Sequence, residues 1–363
     1  MSTRQSPALN DALAMAAPGR PLREGLDRIL QAKRGGLVVV GDDPAVLSIC
    51  SGGFLLDAEF SPQRLSELAK MDGAIILAAD ASRIARANVH LMPKASIPTT
   101  ETGTRHRTAE RVARSIDVPV LSVSAAMSVI AVYRNDQKHT LQPISWLRDR
   151  ADQALATLER FRSRYDVALN GLSTLEVEDT VSVGDVAAVL QSAEMVVRIA
   201  DEVAGYLVEL GDDGRMVRLQ LAEMMDGVAE SMRLVVRDYL RHGSPLAGQR
   251  GSMVDQAVAR LAALSSDELV DLGGVADVLA LPASLSDVHS GVEPRGYRLL
   301  HRLPRLSDTI IERIVERFVN LQQIMRASLG ELEQVEGVGV AKARSVKEGL
   351  ARLAESSIFE RYQ

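Results

Sequence analysis

Met71-Asp72-Gly73-Ala74-Ile75-Ile76-Leu77-Ala78 sets a turn dipeptide directly against an uninterrupted apolar run. Asp-Gly commonly leads into a strand, and the short apolar run behind it favours a strand over a buried helix. Outward from it, residues 37–40, 45–50, 118–123 and 129–133 are further short runs, rich in Val and Ile and flanked by Gly, Pro or Asp. All are predicted as strands. Apolar residues at helical spacing fill the intervals, at 22–32, 62–70 and 108–116. Strand and helix alternating in this way predict an α/β sheet sandwich of roughly 140 residues.

Past Trp146 the pattern changes. Residues 147–165, 183–210 and 215–241 carry apolar side chains at helical spacing with few β-runs, so the middle of the chain is predicted as an all-α spine. Met195, Met224 and Met225 read as core packing rather than a ligand-binding stripe. A Pro/Gly/Ser-bearing stretch at 281–296 reads as a linker, and 308–319, 321–328 and 332–353 as a compact helical tail. The predicted domains are 1–145, 146–285 and 286–363.

A chain of 363 residues is too long for one ordinary core. With 46 % hydrophobic and 25 % charged residues its composition is globular. No apolar run approaches the ~18 residues that spanning a bilayer needs. The start, Ser2 to Gln5, is polar and unlike a signal peptide, and Cys50 is the single cysteine, so no internal disulfide forms. These features predict a soluble, cytoplasmic protein. The net charge is −6, yet residues 295–363 hold 12 Lys+Arg against 9 Asp+Glu, a local +3 that leaves −9 for the rest. The tail is the basic end of an acidic chain.

Thr102-Gly103-Thr104-Arg105-His106-Arg107-Thr108-Ala109-Glu110-Arg111 carries the chemistry. Gly103 lets backbone approach a ligand closely. Arg105, His106 and Arg107 place two permanent cations and an imidazole where a helix begins, and a helix start exposes unpaired N–H groups and a positive dipole end. Thr104 and Thr108 add hydroxyls for phosphate or ribose. Such clustering suits a triphosphate, which carries about four negative charges. Asp72, at a strand edge beside Gly73, is a candidate Mg²⁺ ligand facing a nucleotide hydroxyl.

Asp72-Gly73-Ala74 followed by Gly103-Thr104-Arg105-His106-Arg107 resembles the paired motifs of the diadenylate cyclase domain, over residues 36–141. The resemblance continues through the middle and tail, so the whole chain is similar to the DNA integrity scanning (DisA) family, of the actinobacterial kind. It implies that Asp72 binds Mg²⁺ (or Mn²⁺) and assists deprotonation of a ribose 3′-OH. Catalysis would rest on Asp72, Arg105, His106 and Arg107. Gly73 and Ala74 would bring backbone to the nucleotide, Leu91, in the matching loop, would contact adenine, and Gly103 and Thr104 to Thr108 would hold phosphates and ribose. Ser124 would be a further phosphate contact. Ala125 stands where the family often has a polar or acidic residue. His90 reads as an ordinary surface histidine. The implied activity joins two ATP into cyclic di-AMP, in a homo-oligomer that the family suggests is an octamer.

The symmetry follows from the chemistry itself. Each ATP supplies a 3′-oxygen and an α-phosphorus, one site holds one ATP, and the product has two identical halves, so two copies face each other across a two-fold axis.

In the tail, Glu336-Gly337-Val338-Gly339-Val340-Ala341 lies between two helical stretches, 329–335 and 341–353, and looks like a helix-hairpin-helix, with 308–328 a more degenerate first copy. Gly337 and Gly339 amides with the next helix start would grip a DNA phosphate, and Lys342, Arg344 and Lys347 would extend the contact. Backbone contacts of this kind, few in number, predict weak, salt-sensitive DNA binding without base reading; the resemblance adds a preference for branched DNA and a link to DNA damage. The alternative is a catalytically silent nucleotide sensor that binds DNA. A DNA repair enzyme would need a carboxylate or histidine cluster near the tail, and the sequence has none there.

Overall fold

The computed structural model describes residues 6–241, 250–281 and 288–360. The chain divides into two compact units, one of Met1–Ala154 with Glu202–Gln220, the other of Leu155–Asp201 with Leu221–Gln363.

The first unit opens with helices α1 (Pro7–Met15) and α2 (Pro21–Gln31), then strand β1 (Gly36–Val40), α3 (Pro44–Ser48), β2 (Cys50–Ser51), β3 (Phe54–Glu59) and α4 (Pro62–Leu68). It continues with β4 (Ala74–Leu77), β5 (Arg83–Leu91), α5 (Thr104–Ser115), β6 (Val120–Ser124), β7 (Val129–Arg134) and β8 (Gln137–Thr140). Among the described residues these strands form one sheet in the order β2-β5-β4-β1-β6-β7-β8, with β3 also paired to β5. Only β1 and β4 run parallel; the other pairs are antiparallel.

Period-two alternation of continuous apolar runs lets the central strands feed two cores. Val38, Val40, Ile75, Leu77, Leu121 and Val123 pack on one face against Leu13 of α1, Leu26 and Ile29 of α2 and Leu65 of α4. Leu37, Val39, Ala74, Ile76, Val120 and Ala131 pack on the other against Ala109, Val112 and Ala113 of α5 and Val46 of α3. Burying each large aliphatic side chain stabilises the sandwich by about 1.5–3 kcal/mol.

The run at 45–50 is a helix, not the predicted strand. Pro44 sits at the first helical position, and Asp43 Oδ1 accepts from the amides of Ala45 (2.8 Å) and Val46 (3.0 Å), so a capped turn overrides β-propensity. Only Cys50 and Ser51 remain extended. β3, β5 and β8 carry no clear apolar period in the sequence: β3 is mostly exposed, and β5 is irregular where its register with β4 shifts between Ala74↔Val89 and Ile76↔Arg86.

The helices that follow are α6 (Ile144–Glu178), α7 (Val183–Leu210), α8 (Arg215–Met225), α9 (Val228–Tyr239), α10 (Arg250–Ala263), α11 (Ser266–Val270) and α12 (Leu272–Val278). With 35 residues α6 is about 50 Å long. The all-α middle is as read, except that 215–241 is two helices, broken at left-handed Gly227. Met195, Met224 and Met225 are half-buried. The predicted linker at 281–296 falls partly outside the described residues. Its described part is not free chain: Val292 N donates to Val181 O (2.9 Å) and Gly184 N to Val288 O (2.8 Å), binding it to the α6–α7 turn.

The tail comprises α13 (Tyr297–His301), α14 (Asp308–Phe318), α15 (Leu321–Arg326), α16 (Leu329–Glu333) and α17 (Val340–Glu360) around a core of Tyr297, Leu300, Ile314, Leu332, Val346 and others. A buried polar cluster anchors it within the second unit. Asp238 of α9 accepts from the amides of Gly296, Tyr297 and Arg298 at 2.7–2.9 Å, and Arg298 is ion-paired with Glu176 of α6.

Candidate nucleotide site and tail hairpin

Strand direction places three chain segments at one end of the central strands. Asp72 and Gly73 precede β4, Gly35 precedes β1, and Ser124 ends the antiparallel β6, so all lie at the same end, beside the start of α5. Gly73 has φ +121°, and a Cβ there would lie 2.8 Å from the Asn88 carbonyl carbon. Only glycine fits that turn. Asn88 is itself left-handed (φ +55°) in the irregular part of β5.

Gly103 is the N-cap of α5 and brings no side chain to cap it, and the first turn holds no acidic residue. The first amides of a helix lack intrahelical acceptors, so this end is open to an anion. Arg105, in the first turn, reaches across to Asp72, with Nη2 3.1 Å from Oδ1. Its Nη1 lies so close to Gly35 that a Cβ there would sit 2.6 Å away. The Asp72 side chain is almost fully exposed and that of Arg105 nearly half, so this pair is weak and free to exchange for a ligand. Arg107 is exposed, Thr104 likewise, and Thr108 Oγ1 donates to Thr104 O at 3.0 Å. Ser124 Oγ accepts from Met127 N at 3.3 Å, next to the half-buried Ala125.

His106 parts from its neighbours. The helix turns it inward, where it is 7 % exposed and its Nδ1 lies 3.0 Å from the Tyr133 hydroxyl. Burial pulls its pKa below the usual imidazole range; Lys138 adds to this and Glu101 opposes it. The structure therefore does not place His106 side by side with Arg105 and Arg107. Leu91 is not in a loop: it ends β5, pairs with Cys50 and buries its side chain in the sheet core. The antiparallel Ala74↔Val89 register still sets its backbone at the Asp72 end of β4. His90 is exposed, as expected. Gly35, Asn88, Glu101 and Tyr133 escaped the sequence reading; only the Gly35-Gly36 pair carried a local signal.

Asp72 supplies one hard carboxylate oxygen donor, and among the described residues no group of three or more His, Cys, Asp or Glu side chains could hold a metal. A single carboxylate suits Mg²⁺, which is commonly held by one or two carboxylates together with substrate phosphates.

In the tail, Gly337 is left-handed (φ +87°), Val338 is buried, and Gly339 O accepts from the amides of Lys342 and Ala343, both at 3.0 Å, starting α17. Lys342 Nζ donates to Gly337 O (3.0 Å) and Lys347 Nζ to Met325 O (2.7 Å), so both ammonium groups brace the hairpin. Arg344 is exposed. Arg313 of α14, absent from the sequence reading, donates to Glu336 O at 3.0 Å.

Residues 23–138 match the family described as DisA bacterial checkpoint controller nucleotide-binding, and 141–288 the DisA bacterial checkpoint controller linker region. The chain is 53 % identical over 354 residues to the DNA integrity scanning protein DisA of Acidothermus cellulolyticus, covering 98 % of this chain and 95 % of that one. It is 52 % identical over 351 residues to the protein of that name from Streptomyces coelicolor, covering 97 % and 93 %. The crystal structure of DacA from Staphylococcus aureus is 21 % identical over 36 % of this chain and 86 % of its own, at a TM-score of only 0.29. The chain belongs to the DisA family and is a diadenylate cyclase, a nucleotidyltransferase.

Proposed function

We propose that the protein condenses two ATP into cyclic di-AMP and two pyrophosphate across a two-fold subunit interface, and that its tail couples this activity to DNA. The observation that carries the reading is the Arg105–Asp72 pair, 3.1 Å apart, at the uncapped start of α5. A cation and open amides on one side, and a carboxylate on the other, are what a phosphate chain and a ribose hydroxyl require. Arg105, Arg107 and the first amides of α5 hold phosphate oxygens and neutralise charge that builds in transfer. Gly103, Thr104 and Thr108 line the same end, Ser124 adds a hydroxyl, and the Gly73–Ala74 and Leu91 backbones approach the nucleoside.

Asp72 would hold Mg²⁺ or Mn²⁺, which when bound adds positive charge at the phosphates. The Asp72 carboxylate also orients the ribose 3′-OH toward the facing nucleotide. One subunit presents one such edge, so a second copy supplies the other ATP, within a larger homo-oligomer of which an octamer is one form.

In the tail, the Gly337 and Gly339 amides and the start of α17 take a DNA phosphate, with the exposed Arg344 adding a cation and Lys342 and Lys347 shaping the hairpin. This favours backbone shape over sequence, and so branched DNA. The working division is a cyclase domain at 1–145, a spine at 146–285 and a DNA-binding domain at 286–363, in a cytoplasmic protein. The test is turnover with ATP and Mg²⁺ across a dilution series. Cyclic di-AMP whose yield per subunit collapses as the oligomer dissociates supports the reading, and full turnover by a monodisperse monomer overturns the two-fold mechanism.

A further inference from the structure

His106 is buried against a chain of polar groups that phosphate binding does not use. The Tyr133 hydroxyl donates to Glu101 Oε1 at 3.1 Å and lies 3.0 Å from His106 Nδ1. Glu101 is in turn 2.5 Å from Lys138 Nζ, which also sits 5.7 Å above the Tyr133 ring. A carboxylate facing an ammonium is ionised and can only accept. The single phenolic proton of Tyr133 therefore points at Glu101, and the phenolic oxygen is left as acceptor toward His106. Nδ1 must then carry a proton. A neutral imidazole has one N–H, so Nε2 holds a lone pair, and it has no hydrogen-bond partner among the described residues. The Cδ2 corner beside it faces Gly103: a Cβ built there would lie 3.4 Å away. The bare nitrogen thus belongs to the imidazole edge directed at the N-cap of α5.

We propose that Glu101 and Tyr133 are positioning residues that hold His106 as the Nδ1–H tautomer, so that Nε2 accepts a hydrogen bond from a ribose hydroxyl of the bound nucleotide. The inference rests on the nucleotide-binding reading of α5 and reverses one expectation for His106: a neutral imidazole with a bare Nε2 cannot donate to a phosphate oxygen. Phosphate falls to Arg105, Arg107 and the backbone, while His106 recognises the sugar.

Two measurements test it. Imidazole ¹⁵N spectra of histidine-labelled full-length protein, with His106 assigned by His106→Gln, report the tautomer without any nucleotide. The expected pattern is a protonated Nδ1 and an unprotonated Nε2 in the parent, and loss of that preference in Tyr133→Phe, which keeps the ring and removes only the hydroxyl. Calorimetric binding of ATP and of 2′,3′-dideoxy-ATP reports the contact. The parent should favour ATP, and Tyr133→Phe should lose about 5-fold of that preference, the worth of one neutral hydrogen bond, the remainder belonging to the Asp72 contact with the 3′-OH. A protonated Nε2 in the parent overturns the proposal, whether or not the variant folds. A ribose preference that Tyr133→Phe leaves unchanged, or no preference at all, overturns the hydroxyl contact alone; failure of both nucleotides to bind removes the nucleotide reading and the contact together.

Discussion

Gly73 shows how much of the site hangs on one atom that is missing. Its φ of +121° and the 2.8 Å approach to Asn88 leave no room for a Cβ, so Gly73→Ala must move either the Asp72 turn or the β5 irregularity. The expected cost is on the order of 1–3 kcal/mol, the range for strained backbone, with a lower melting temperature and ATP binding weakened beyond what the stability loss explains. Unchanged binding would show that the turn does not set the Asp72 carboxylate. Arg105 is the second decisive residue. Lysine retains the charge but not the planar fork that spans Gly35 and Asp72. Arg105→Lys should lower kcat by about 10²-fold or more, as loss of a fixed donor at a transition-state oxyanion does, while the fold survives, because the side chain is nearly half exposed. Steady-state kinetics beside a thermal melt separate the two effects.

Elements buried on both faces announced themselves, whereas elements at an edge did not. β1, β4, β6 and β7 are rich in Val, Ile, Leu and Ala because helices cover both sides of the sheet. β3 lies exposed at the margin and β5 changes register at Asn88, so neither keeps a period that sequence reading can detect. At 45–50 the Asp43 cap and Pro44 outweighed an apolar run. The candidate site was legible as Asp72 with Arg105 and Arg107 because their types suit phosphate chemistry. The inward turn of His106 was not, since its partner Tyr133 lies 27 residues away on β7. The anchor of α13 is of this distant kind too. Arg298 and Glu176 are buried together, and burial, then the Glu176 carboxylate, push Asp238 up to about 7, against three amides that favour its ionised form. Glu176→Ala would leave the Arg298 guanidinium buried without its partner. The expected loss is about 3–5 kcal/mol in the second unit, read as an early unfolding transition in calorimetry. A melt like that of the parent would mean the cluster is not what holds α13.

On the scale of the whole molecule, charge divides along the chain. The local +3 over residues 295–363 of an acidic sequence is what the proposed DNA contact at the tail draws on. Lys342 and Lys347 are engaged with carbonyl oxygens, so Arg344 should carry the larger share of phosphate contact. Arg344→Ala is expected to weaken DNA binding for all sequences alike and to reduce the slope of log affinity against log salt by about 1. A sequence-dependent loss would point to base reading instead. The central claim, that the Asp72–Arg105 edge joins ATP molecules, is met most directly by incubating the full-length protein with ATP and Mg²⁺ and weighing the products by mass spectrometry beside Asp72→Asn. Cyclic di-AMP from the parent and none from Asp72→Asn is the predicted result. ATP bound but unconverted by the parent, or equal product from both proteins, would contradict it.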